Sequence, residues 1–202
     1  MKRSSIFIVI LTLMLLATVP AVAGPNGTDR PIEGDVTGYV QWGGEGSPDG
    51  LANIKGCNDD GALPGFFSVT TFTTAYGTMS HLGKVHMESA HCPVFEGPSK
   101  GQMAFVAANG DTLYGEYMYA TPGTLDVLLT FGENTMGVCP FLHGVGCEST
   151  GRFAGATGSA IVKAGTSEFD PDDMWAHLDY WASIAGTVTY GISVHPTKTK
   201  AL

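Results

Sequence analysis

Gln102-Met-Ala-Phe-Val-Ala-Ala-Asn-Gly-Asp-Thr-Leu-Tyr-Gly-Glu-Tyr-Met-Tyr-Ala120 reads as two alternating runs joined at Asn109-Gly110. Asn and Gly both tolerate positive φ, which a tight type I′ hairpin turn requires, so residues 102–107 and 112–120 are expected to pair antiparallel. In the second run Leu113, Gly115, Tyr117 and Tyr119 share one face, and Tyr114, Glu116 and Met118 share the other. Leu113, Tyr117 and Tyr119 make the more apolar set and are assigned to an interior, which leaves Glu116 outside. In the opposite register Glu116 would be a buried carboxylate with a raised pKa, suited to acid–base chemistry.

The same period-2 alternation recurs along the chain, while a sustained 3.6-residue apolar stripe is nearly absent. Residues 36–42, 66–75, 79–89, 102–107, 112–120, 125–131, 156–163 and 183–193 read as strands separated by Gly, Pro, Asn or Asp clusters. Eight strands suffice to close an antiparallel all-β barrel. In the last strand Ile184, Gly186, Val188, Tyr190 and Ile192 share the apolar face, and Ser183, Thr187 and Thr189 the wetted one. Residues 167–180 break the pattern and predict one short helix, with Asp170 as cap, Pro171 in the first turn, and Asp172 and Asp173 complementing its dipole. Asp170, Asp172, Asp173 and His177 lack the spacing and Gly of a calcium loop, so capping is preferred to a calcium site.

Residues 1–23 have the marks of a cleavable secretion signal. Lys2 and Arg3 precede an apolar run over residues 6–17, and Ala21-Val22-Ala23 is a small-x-small cleavage pattern. The run is short of the ~20 residues that a membrane-spanning helix needs. The expected mature chain, residues 24–202, is one domain. Lys2 and Arg3 are the only charged residues of the signal, so the rest carries 19 acidic against 8 basic residues, a net charge of −11. That balance excludes nucleic acid and anionic lipid as partners, since both are bound through Lys and Arg. Asn26-Gly-Thr28 is a glycosylation sequon wherever the exporting pathway glycosylates.

Cys57, Cys92, Cys139 and Cys147 are an even set in an exported chain, which favours disulfides. Three pairings are possible; 139–147, closing a short Gly-containing loop, and 57–92 are preferred. His91 beside Cys92, and His143 between Cys139 and Cys147, raise zinc as the alternative. No C-x-x-C or H-x-x-x-H spacing is present, so no metal is expected.

No nucleophile elbow, H-E-x-x-H, Walker loop or dinucleotide fingerprint occurs. If 79–89 is one continuous strand, His81 lies with Gly83, Val85 and Met87 on the apolar side, and His86 lies with Lys84 and Glu88 towards water. His81 is then either a proton carrier in a pocket or a buried histidine satisfied by backbone or Thr hydroxyls.

Gly151-Arg-Phe-Ala-Gly-Ala-Thr-Gly-Ser159, with Ser80-His-Leu-Gly-Lys84 and Ala107-Ala-Asn-Gly-Asp-Thr-Leu-Tyr-Gly115 upstream, resembles the allene oxide cyclase-like barrel superfamily, which includes dirigent proteins and small secreted bacterial proteins. The resemblance implies a closed barrel in which the G-x-F-x-G-A-x-G element is a short helical turn leading into a strand. It also implies an apolar small molecule inside the barrel and no cofactor. No residues here match the catalytic constellation of the plant members.

The leading expectation is a secreted barrel that binds a small apolar ligand, with His81, Tyr117, Tyr119, Glu116 and Tyr190 as pocket candidates. A cofactor-independent isomerase or cyclase acting by confinement is the second reading. A structural barrel packed solid by Phe72, Val85, Leu129, Val188 and Tyr190 is the third.

Overall fold

The computed structural model describes residues 28–44, 47–51, 70–91, 100–119, 125–170, 172–173 and 175–190; the signal segment and the proposed 57–92 pair lie outside them. Eight strands follow in chain order: β1 (Asp29–Gly43), β2 (Thr70–Met79), β3 (Gly83–His91), β4 (Lys100–Ala107), β5 (Thr112–Tyr119), β6 (Val127–Phe131), β7 (Thr157–Thr166) and β8 (Leu178–Thr189). Each pairs antiparallel with its sequence neighbour, and β1 pairs with β8, so the sheet closes as a barrel.

Alternation along the strands produces the core directly. Ile32, Val36 and Val40 of β1, Met87 of β3, Leu113 and Tyr117 of β5, Leu129 of β6 and Ile184 of β8 point inward and are buried. Removing each such side chain from water contributes about 1.5–3 kcal/mol against the entropy of ordering the chain. The end of the barrel that carries the β2–β3 and β4–β5 turns is solid, filled by Ile32, Leu82, Phe105, Leu113, Phe131, Phe153 and Val188. Phe72 is not a filler: its neighbours Thr71 and Thr73 face inward, and Phe72 takes the opposite parity.

The β4–β5 hairpin forms at the expected place with a different turn. Gly110 N–H donates to Ala107 O (2.9 Å), Ala107 N–H donates to Asp111 O (2.8 Å), and only Gly110, at φ 87°, is left-handed. This is a three-residue loop with a glycine at its last position, not a type I′ pair. Asn109 stays right-handed because its side chain is engaged with Asp111 through both the backbone amide (3.2 Å) and the carboxylate (2.9 Å).

The described residues of the range 167–177 form no helix. Asp170 caps a turn instead, its carboxylate accepting Asp172 N–H at 2.9 Å, and β8 begins at Leu178. Among the described residues the one helical element is the 3₁₀ turn Gly151–Phe153, which leads into β7.

β6 is short, and its last pair is Gly115 with Phe131, which leaves the start of β5 without a strand partner on that side. Residues 132–150 return across this gap and over the outer faces of β3, β4 and β5 as a strap. Thr112 N–H donates to Thr150 Oγ1 (3.0 Å), Tyr114 N–H to Ser149 Oγ (3.0 Å), and Thr150 N–H to Thr112 O (2.8 Å), so the exposed edge is satisfied. Cys139 and Cys147 pair within the strap, Cα atoms 5.5 Å apart. Beneath it Ala104 and Tyr114 pack with Cys147, Phe141 and Val145.

Candidate functional site

The barrel is hollow at the end opposite the solid one. Trp42 and Val40 from the end of β1, Thr71 and Thr73 from the start of β2, Ser89 and His91 from the end of β3, and Tyr117 of β5 line a cavity of about 260 Å³. Val127, Val162, Ala164, Leu178 and Tyr180 complete an apolar wall. The contrast between the two ends follows from residue size. Phenylalanine and leucine fill one end, whereas Thr71, Thr73, Ser89 and Ala164 leave space between the larger side chains at the other.

Three of the polar groups in the lining, those of Tyr117, His91 and Thr71, give the cavity direction. Tyr117 Oη and His91 Nδ1 are hydrogen-bonded at 2.9 Å. The His91 residue keeps some surface, yet desolvation of its ring pushes its pKa down to about 4, so it is neutral at physiological pH. Thr71 Oγ1 is buried with no hydrogen-bond partner among the described residues. A buried hydroxyl left unpaired is costly, and a ligand that hydrogen-bonds to it removes the cost. Gly101 lies opposite Tyr117 across β4 and β5; a Cβ there would collide with the phenol ring and approach Ala90 O to 2.8 Å. The glycine is what allows the tyrosine to lie flat over β4 and face His91. At the rim the Trp42 indole donates to Ala176 O (3.3 Å), which clasps residues 167–177 to the mouth.

Of the five residues expected in a pocket, the described structure places Tyr117 in the cavity wall. His81 lies in the exposed β2–β3 turn at φ 65°, its Nε2 donating to Pro31 O at 3.0 Å. Parity was extended through a turn that interrupts it, so the apolar assignment does not hold. Glu116 faces out of the barrel and holds the strap: its Oε1 accepts Thr135 N–H (2.6 Å), Met136 N–H (2.9 Å) and Tyr114 Oη–H (3.2 Å), and Oε2 accepts the Thr135 hydroxyl. Burial would raise its pKa, but these hydrogen bonds outweigh burial and hold it below the usual carboxylate value. Tyr114 beneath it is pushed up, by desolvation and then by the Glu116 charge. Tyr190 belongs to the solid end, stacked on Phe153 with ring centroids 5.7 Å apart. The Tyr119 side chain lies outside the described residues.

Thr71 and Tyr180 were not singled out by the sequence, and His91 was weighed only as a zinc ligand beside Cys92. His91 shares parity with Val85, Met87 and Ser89, so ending the strand two residues later would have brought it inside. Tyr180 was hidden by the expected helix.

No protein-family model, curated protein or solved structure matches this chain.

Proposed function

We propose that this is an exported binding protein that takes a small, mostly apolar molecule with one hydrogen-bonding group into the open end of its barrel. The observation that carries this is a 260 Å³ apolar cavity with a buried Thr71 hydroxyl that has no partner among the described residues. Cavities of about 150 Å³ hold benzene, so this one suits a two-ring molecule or a single ring with a short chain. Specificity would come from the few polar groups set in an apolar wall, namely Thr71 and the His91–Tyr117 pair.

Export is supported by residues 1–23 as a signal and by the Cys139–Cys147 pair, which persists in oxidising surroundings. The polarity of the walls supports a mature form outside the membrane. The interior is lined largely by apolar residues, and Lys163, Asp179 and Ser183 face out beside Leu128, Ile161 and Trp181, unlike the polar lumen and unbroken apolar band of a membrane-spanning barrel. The closed eight-stranded barrel and the 3₁₀ turn before β7 support the resemblance to allene oxide cyclase-like proteins. The isomerase reading draws on the His91–Tyr117 pair alone, since His81 and Glu116 both lie outside the cavity. An imidazole whose pKa is about 4 is a weak base at neutral pH, so binding is the better-supported role.

The test uses 2-naphthol, a two-ring molecule with one hydroxyl. Fluorescence titration should show one molecule bound per chain, and Ala164→Phe, which fills the mouth, should weaken binding at least tenfold. Equal binding by the variant removes the cavity from consideration. Native mass spectrometry of protein from its own host would then show the natural ligand by mass.

A further inference from the structure

The outer wall of the barrel carries a second cluster, on the opposite face of β3 from the cavity and independent of the proposal above. His86 and Glu88 lie two residues apart on the outward face of β3, and the strap brings His143 over them. The donor atoms of the three side chains all lie within 4.8 Å of one another. Glu88 is the hub. Its Oε2 accepts the backbone amides of Leu142 (2.8 Å) and His143 (3.4 Å), while Oε1 lies 2.6 Å from His143 Nδ1 and 3.3 Å from His86 Nε2.

Two features of the cluster are unexplained by packing. The Glu88 side chain is only 2% exposed, yet no Lys or Arg pairs with it among the described residues. Its charge is met by two backbone amides and the His143 ring alone, where a buried carboxylate ordinarily has a permanently charged partner. His86 Nε2 is itself buried and has no hydrogen-bond partner among the described residues, because Glu88 Oε1, although near, is not in hydrogen-bonding geometry. A cation shared by these atoms resolves both.

We infer that His86, Glu88 and His143 form a binding site for a divalent late first-row transition ion such as zinc, with its fourth position open to solvent. Two imidazoles and a carboxylate suit such an ion, whereas magnesium and calcium take all-oxygen sets. A tetrahedral ion with bonds of about 2.0–2.1 Å spaces its ligands about 3.3 Å apart. His86 and Glu88 stand at that spacing already. His143 and Glu88 are closer because a proton lies between them. The ion takes the place of that proton, His143 binds as the neutral tautomer with its N–H on Nε2, and the ring moves outward slightly. Its side chain is 52% exposed, so the movement is unobstructed and the ion has a path in.

The site is held in place before any ion arrives. Tyr76 stacks on the His86 ring at 4.9 Å, and the Cys139–Cys147 loop together with Glu88 Oε2 fixes the backbone at His143. Bound metal would staple the strap to β3.

Chelator-treated, tag-free protein is dialysed against zinc chloride at pH 7.5 and the bound metal is counted by elemental analysis; cobalt chloride reports geometry by visible absorption. The expected result is one ion per chain and the absorption of four-coordinate cobalt. His143→Ala and His86→Gln should each weaken uptake at least tenfold, with near-UV dichroism confirming that the barrel is intact. His177→Ala, which removes an exposed histidine paired with Asp49, should leave uptake unchanged. Failure of the wild-type protein to take up one ion, or uptake unaltered in His143→Ala, overturns the assignment.

Discussion

Acidification tests the interior of the barrel through a single residue. In the unfolded chain His91 titrates at its ordinary value of 6.5, and in the folded barrel desolvation pushes it down to about 4. Between these values the unfolded state holds a proton that the native state does not, so stability falls as pH falls. From pH 7.5 to pH 5 the loss attributable to His91 is about 2 kcal/mol, and by pH 4 about 3 kcal/mol. Urea unfolding followed by tryptophan fluorescence, at pH 7.5 and 5.0, measures this in the wild type and in His91→Gln, which cannot titrate. The offset between the two proteins at one pH is not the quantity of interest; the difference in their pH dependence is. His86 is also lowered, by desolvation against the opposing pull of Glu88, and adds a loss of the same sign to both proteins. Glu116, held below the usual carboxylate value, contributes stability lost only at still lower pH. A variant that loses as much stability as the wild type between pH 7.5 and 5 would show that the His91 ring is solvated and that the cavity wall is wrongly drawn.

Three further outcomes follow from the same geometry. Thr71→Val removes an unpartnered buried hydroxyl and should leave stability unchanged or raise it by up to about 1 kcal/mol in urea unfolding, while weakening 2-naphthol binding. Gly101→Ala should cost about 1–3 kcal/mol by the same assay and displace Tyr117 into the cavity, so that ligand uptake falls with stability. Glu116→Gln weakens the hydrogen bonds that anchor residues 135 and 136. It should cost about 1–3 kcal/mol and speed limited proteolysis within the strap while the barrel resists.

The barrel was legible because its signal is periodic and local. The inward set Leu113, Tyr117 and the apolar face of β8 follow from alternation alone, as does the outward placing of Glu116. What was misread lies where period 2 stops. His81 sits in a turn, and counting through it inverted its face. Asp170 and Pro171 satisfy the first-turn preferences of a helix, but the same chemistry caps a turn, and β8 claims the residues that a helix would have needed. The strap was invisible for a different reason. Residues 132–150 have little periodicity, and their contacts with Glu88, Gln102 and Tyr114 join segments that only the folded barrel brings together. For this reason Glu88 read as a solvated charge although it is buried, and His86 and His143 could not be seen as neighbours.

The seam between β1 and β8 bears on how the protein comes to be folded at all. It joins the two ends of the described chain: Asp29 is hydrogen-bonded to Thr189, 160 positions away. Until the last strand is available, β1 has β2 for company and an unsatisfied edge on its other side. A chain emerging from the ribosome therefore cannot complete the barrel until Leu178–Thr189 has been made, and closure over such a separation is slow. If the chain is exported as proposed, late closure is an advantage, because the same seam that locks the native state leaves the nascent chain open for longer.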